Sequence, residues 1–291
     1  MKKITFLDFE TTGLIKENEP MPLVIQAALK IIDWNEVKLE NQFFWNNNKR
    51  LNVAVRTETW IQEKDIKDKE LFSNSAMLKN LIEKKDSTIY VAHNWKEFDF
   101  KLIEEFWFTP KYYIDTLKII QYLITDKKEF DLLEWKFKLG YIRFYLQDKW
   151  LLDKKYVKKA LKFHTAGYDV ETLEQIFNWL VKIYQEKNPW VDLKTTYLNF
   201  VNISKLPLLL TFVNFWKHIG EKYEDLPETY LKWCYEKLRW VRWTDFDYTI
   251  EEYFKKKNPK YFNIKPEKQI FDPIKGTPKV NIENAPTPIY K

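Results

Sequence analysis

The sequence predicts an α/β fold, a sheet with helices on both sides, and three observations carry that expectation. Three strand-like segments, KITFLDFET, LVIQAALKIID and EVKLENQFF, fill residues 2–46, and the turn between the last two is tight enough for an antiparallel hairpin. Buried-strand runs then alternate with helical ones: STIYVAHN precedes the amphipathic KEFDFKLIEEF, and KYYIDTLKII reads as a strand opening into a helix. Third, residues 166–185 place Leu173, Ile176, Phe177, Leu180 and Tyr184 on one face of a strongly periodic helix. Strands alternating with helices build a sheet covered on both faces.

Between these segments, Thr57 to Lys85 is polar and helix-prone, and a charged helical stretch precedes Ala166. With 291 residues the chain has length for one full core and a small second module. The expected division is 1–187 for the α/β unit, 188–257 for a small helical unit and 258–291 for an extended tail. In the second unit the clearest signal is EDLPETYLKWCYEKL, where Asp225 can cap a helix and Pro227 suits its first turn, with a further helix from Thr249 to Lys256. The lone cysteine, Cys234, shares helical spacing with Tyr230, Leu231 and Leu238, which marks a core residue and excludes an internal disulfide.

The formal net charge is +6, but it is unevenly placed: from Lys255 onward nine Lys face three acids, so the remainder is neutral. Six of the twelve prolines also lie there, which predicts a disordered basic tail. Such a tail either adds salt-dependent affinity for phosphates or simply solubilises the chain. No run approaches the eighteen or so apolar residues of a membrane span, and the N-terminus enters a strand pattern directly rather than a signal peptide, so a cytoplasmic protein without membrane contact is expected.

Certain carboxylates stand where apolar residues belong. Side chains alternate along a strand, so Ile4, Phe6, Asp8 and Glu10 share one face of a segment that is apolar on both sides. Taken alone, that pair could mark an exposed strand end. The anomaly recurs, however: Asp99 shares a helical face with Leu102, Ile103 and Phe106, and Asp169 lies one turn before Leu173 on the apolar stripe. Buried adjacent carboxylates repel and are costly unless a cation neutralises them. Four of them converging give the all-oxygen donor set that Mg²⁺ or Mn²⁺ requires, and two such ions about 4 Å apart can clamp the attacking and leaving oxygens of a phosphodiester. Hydrolysis also needs a proton acceptor near neutral pH, which histidine supplies. His164, five residues before Asp169 in a segment read as the loop entering that helix, is placed for it; His93 sits at a strand end beside Asn94, and His218 lies in a lysine-rich segment that suits a solvated role.

In order, LDFETTGL, AHNWKEFDFKLI and HTAGYD resemble the three motifs of the DEDDh 3′-to-5′ exonucleases, the family that includes polymerase proofreading subunits. The resemblance spans residues 4 to about 180. It implies a ribonuclease H-like fold with a mixed five-stranded sheet, Asp8, Glu10, Asp99 and Asp169 as ligands of two Mg²⁺ ions (or Mn²⁺), and His164 as general base. It further implies that Thr11, Thr12, Gly13 and Leu14 contact the terminal nucleotide, with His93, Asn94 and Phe98 lining the other side. Phe98 suits a core aromatic as well as a stacking one. Asp115 matches an acid that the family carries at this strand end without using it as a ligand. The implied substrate is the 3′ end of single-stranded DNA or RNA, and a DNA polymerase is a possible partner. A non-catalytic nucleic-acid-binding protein retaining the fold is the alternative. The later segments KHIGEKYEDLPETYLKW and TDFDYTIEEYF resemble a small bacterial domain family described as a quorum-sensing-regulated virulence factor.

The chain has thirteen Trp and only five Gly, whereas ordinary usage is about 7% Gly. Trp34 occupies a turn between two strands, Trp107 follows a helix where a glycine cap is usual, and Trp60 and Trp216 also fall where the resembled families carry glycine. Trp95 falls where they carry a small residue, while Trp233 matches a family Trp. Some bacteria read UGA as glycine, and translating such a gene with UGA as Trp gives this pattern; an aromatic-rich surface is the alternative.

Overall fold

A computed structural model describes residues 3–16, 19–33, 36–47, 50–96, 98–134, 136–152, 165–238 and 244–262. β1 (Lys3–Thr11), β2 (Val24–Asp33) and β3 (Glu36–Phe43) form an antiparallel meander. β4 (Thr88–Ala92) and β5 (Tyr112–Asp115) continue the sheet in parallel beyond β1, giving the order β3-β2-β1-β4-β5. This mixed five-stranded sheet with helices on both faces is a ribonuclease H-like arrangement.

Alternation along β1 explains both layers. Leu7 and Phe9 point into a core with Leu78 and Leu81 of α3 (Ala76–Lys84) and Leu102 and Ile103 of α4 (Asp99–Glu104). Ahead of them, the polar stretch that reads as helix-prone breaks into α1 (Val53–Thr59), α2 (Glu63–Ile66) and a 3₁₀ turn at Phe72–Asn74. On the opposite face Ile4 and Phe6 meet α5 (Thr116–Leu123), α7 (Leu139–Asp148), α8 (Ala166–Lys187) and α9 (Leu193–Lys205), with α6 (Lys127–Leu132) adding Phe130. The Phe6 and Phe177 rings meet edge-on at 5.5 Å. Burying such side chains contributes about 1.5–3 kcal/mol each.

α10 (Glu228–Lys237) and α11 (Thr244–Lys257) enclose a separate cluster containing Tyr223, Leu226, Leu231, Phe246, Phe254 and Cys234, the last fully buried as its spacing implies. Asp225 does not cap α10: it sits in a 3₁₀ turn, and Pro227 occupies the N-cap position with no side-chain cap. His218 is not simply solvated, since its Nδ1 lies 2.9 Å from Glu221 and its ring packs against Tyr230. A largely buried Lys118–Asp245 pair (3.0 Å) joins α5 to α11. Tyr261 and Phe262, inside the expected tail, pack their rings on Phe254, while residues 263–291 lie outside the described residues. Among the described residues no helix is long and apolar enough to cross a membrane.

Candidate active site

Asp8 and Glu10 project from β1 toward α8, continuing the row begun by Ile4 and Phe6. Across β2, Asp8 faces Ala28, a fully buried small residue that leaves room beside the carboxylate, and Glu10 faces Gln26. The register shifts between Glu10 and Thr11, as in a β-bulge that re-aims the end of a strand. Asp169, in the first turn of α8, completes the group: one carboxylate oxygen from each of Asp8, Glu10 and Asp169 lies within 4.8 Å of the others. Asp99, the first residue of α4, is buried and close enough for its charge to act on Glu10 and to feel Asp8. Three of the four expected ligands therefore converge within 4.8 Å, while Asp99 stands outside that group but within reach of its charges.

Electrostatics shows what the group lacks. Burial pushes the Asp8 carboxyl up to about 7. For Glu10, burial and then the charges of Asp8, Asp169 and Asp99 push it to about 9. Asp169 rises to about 8 through burial and then Asp8, and Asp99 is raised well above its usual range mainly by burial. Such a set of hard oxygen donors fits a divalent cation, which would supply the missing positive charge.

Because the folded-state values lie above the ordinary carboxylate range near 4, the metal-free fold binds more protons than the unfolded chain between about pH 4 and 9, so its stability falls as pH rises through that window. Thermal unfolding should show a midpoint that drops from pH 5 to pH 9. Adding Mn²⁺ at pH 8, at about a hundredfold excess over its Kd, should raise the midpoint by roughly 5–10 °C. A midpoint flat with pH and indifferent to Mn²⁺ would contradict this electrostatic picture.

The helix carrying Asp169 is fixed by groups from the sheet. Thr165, its N-cap, makes no side-chain cap; instead the Ala166 N–H donates to Gln26 Oε1 at 3.2 Å, and Gln26 Nε2 donates to Asn41 at 2.9 Å. A Cβ on Gly167 would meet Asn41 Nδ2 at 2.5 Å, so glycine permits this close seating. Further along, Lys30 pairs with Glu174 at 2.5 Å with both side chains largely buried. Gln26 was not singled out from the sequence, although a polar residue inside the apolar run LVIQAALKII was the available signal.

Beyond β1 the TTGL loop is self-braced: the Thr12 N–H donates to the Leu23 carbonyl (2.9 Å), the Leu23 N–H to the Thr12 hydroxyl (3.0 Å), and the Thr11 hydroxyl to the Gly13 carbonyl (2.6 Å). Leu14 is 76% exposed, and a Cβ on Gly13 would meet nothing within 4 Å. On the far side, burial holds the His93 imidazole down at about 4, hence neutral; Nε2 donates to the Phe137 carbonyl, leaving Nδ1 to accept from the Thr116 hydroxyl at 2.9 Å. Asn94 adopts φ +61°, and its N–H donates to Asp115 (2.9 Å), which also caps α5 through the Leu117 N–H. Asp115 thus braces the loop after β4. Phe98, partly buried, packs against the α3–α4 core at the N-cap of α4. His164 lies outside the described residues.

No family model matches the sequence, and no curated protein matches it. Among solved structures, exonuclease X in complex with 5′-overhanging duplex DNA is 16% identical, over 69% of this chain and 99% of that one, with a TM-score of 0.46. E. coli exonuclease I in complex with a dT13 oligonucleotide is 15% identical over 65% of this chain, which spans 42% of that enzyme, at a TM-score of 0.46. Cell-death related nuclease 4 is 17% identical over 62% and 64% of the two chains, at 0.44. Likenesses this remote assign no activity.

Proposed function

We propose that this protein is a metal-dependent 3′-to-5′ exonuclease that hydrolyses phosphodiester bonds at the 3′ end of single-stranded DNA or RNA and releases nucleoside 5′-monophosphates. The observation that supports it is the meeting of Asp8, Glu10 and Asp169 within 4.8 Å on two different elements, with buried Asp99 near enough for its charge to act on Glu10. Two Mg²⁺ or Mn²⁺ ions held there by these carboxylates would neutralise charge at the phosphate and acidify the attacking water.

In this reading Asp8, Glu10, Asp99 and Asp169 hold the cations, and His164 accepts the proton of the attacking water. Thr11, Thr12, Gly13 and Leu14 position the terminal nucleotide, the exposed Leu14 side chain against its base. His93, Asn94 and Phe98 line the other side, the His93 ring held between Thr116 and the Phe137 carbonyl. Residues 1–187 together with α9, which packs in the same sheet core, make up the catalytic unit, and the cluster running from Leu208 to Phe254 forms the separate module. The test is an assay with 5′-end-labelled single-stranded DNA and RNA in Mg²⁺ or Mn²⁺. The expected result is a ladder shortening from the 3′ end that EDTA abolishes; internal cuts, or loss of the label as a mononucleotide, would overturn the polarity.

Gln26 acts through Asp169. Gln26→Leu leaves the first N–H of α8 without its partner and loosens the carboxylate that follows, so turnover at limiting Mn²⁺ is expected to fall about 10- to 100-fold and to recover partly at high Mn²⁺. An unchanged Mn²⁺ dependence would remove Gln26 from this role.

A further inference from the structure

Among the described residues, eight that are not glycine have left-handed backbone, and four of them are tryptophan: Trp60 (φ +58°), Trp107 (+63°), Trp150 (+58°) and Trp216 (+55°). Asn47, Asp68 and Asn94 are of the types whose short polar side chains tolerate this region, which leaves Glu134 as the other exception. For a bulky side chain such a φ is a genuine outlier, since Cβ crowds the following carbonyl oxygen. Nine tryptophans are described, so nearly half of them occupy the region that their side chain disfavours.

Their hydrogen bonds identify the positions. After α4 the Phe108 N–H donates to the Ile103 carbonyl and the Trp107 N–H to the Glu104 carbonyl. After α7 the Leu151 N–H donates to Leu146 and the Trp150 N–H to Gln147. Each is the paired 6→1 and 5→2 pattern of the Schellman motif, with tryptophan at the residue where glycine is the usual occupant. Trp60 closes α1 by a single bond from its N–H to the Arg56 carbonyl, the simpler left-handed cap, which has the same preference. Trp216 opens the 3₁₀ turn Trp216–His218.

The indoles do not offset this cost by packing. A tryptophan ordinarily buries a large ring, yet Trp60, Trp107 and Trp150 are 71%, 83% and 89% exposed. Trp216, 54% exposed, touches the rings of Phe215 and Trp233 but shares the backbone anomaly. Trp95 is different: it is fully buried against Tyr113 and Phe108 and lies outside the left-handed region. Trp34 lies outside the described residues.

We propose that Trp60, Trp107, Trp150 and Trp216 stand where the natural chain carries glycine, each being encoded by UGA that the producing organism reads as glycine. Five glycines in 291 residues is far below ordinary usage, and these four positions restore glycine where the backbone calls for it. The inference is independent of the nuclease reading, because it concerns helix ends and a turn rather than the acidic centre.

Three measurements test it together. The coding sequence should show UGA at all four positions; UGG at them overturns the proposal. The chain as written and the variant combining Trp60→Gly, Trp107→Gly, Trp150→Gly and Trp216→Gly are then compared by thermal unfolding, with Trp179→Gly as a control. The fourfold variant should melt roughly 10 °C higher, while the control, in the interior of α8, should melt lower. A fourfold variant no more stable than the chain as written also overturns the proposal. Peptides from the natural protein spanning these sites should carry the mass of glycine.

Discussion

Replacing Asp8 by Asn is expected to reduce chelator-sensitive nucleotide release to background while leaving the fold intact. Asp8 touches every other member of the acidic group electrostatically: its charge raises Glu10, Asp99 and Asp169 alike. An amide keeps the shape but removes both the ligand charge and that repulsion. The variant should therefore melt higher than the parent at pH 8 without metal and lose most of the stabilisation that Mn²⁺ gives the parent. Ala28 opposite Asp8 already accommodates a group of this size. Circular dichroism, a melting curve with and without Mn²⁺, and turnover on labelled single-stranded DNA check the three parts separately. Undiminished turnover would remove Asp8 from the metal site.

His164→Ala should lower turnover by about 10²- to 10⁴-fold, the usual contribution of a positioned general base, with little change in Mn²⁺ affinity. The two readouts separate the possible roles. A proton acceptor affects turnover at saturating metal and removes the limb of the pH–rate profile that belongs to its titration. A residue that merely anchors the segment before α8 would weaken Mn²⁺ binding through Asp169 and leave the shape of the profile unchanged. Loss of Mn²⁺ affinity with an unaltered profile would assign His164 to positioning.

Much of the sheet was legible because its physics is local. β1, β2 and β4 are apolar runs bounded by turn residues, and the alternation of Ile4, Phe6, Asp8 and Glu10 fixes a face before any partner is known. The acidic centre was legible for the same reason, since carboxylates on apolar faces announce themselves. What depends on meetings between distant segments was not. Gln26 reaches the start of α8 across 140 residues, and nothing near either residue in the chain encodes that bond. Asp115 reads as an acid at a strand end, and only the fold shows it holding Asn94 in its left-handed conformation. The stretch from Thr57 to Lys85 reads as one polar helical region, but the left-handed residue at 60 and the extended backbone at 67 divide it. Asp225 satisfies a local capping rule, yet Pro227 takes the N-cap position two residues later.

The most direct test of the acidic centre is Mn²⁺ uptake followed by electron paramagnetic resonance, with the parent and Asp8→Asn titrated side by side at pH 8. Free Mn²⁺ gives a sharp signal that is lost on binding to protein. The parent is expected to remove the signal of two Mn²⁺ ions per chain, with Mg²⁺ competing for them, and Asp8→Asn to leave most of the signal in solution. A parent that leaves the Mn²⁺ signal unchanged, or a variant that takes up Mn²⁺ as well as the parent, would contradict the metal-site assignment.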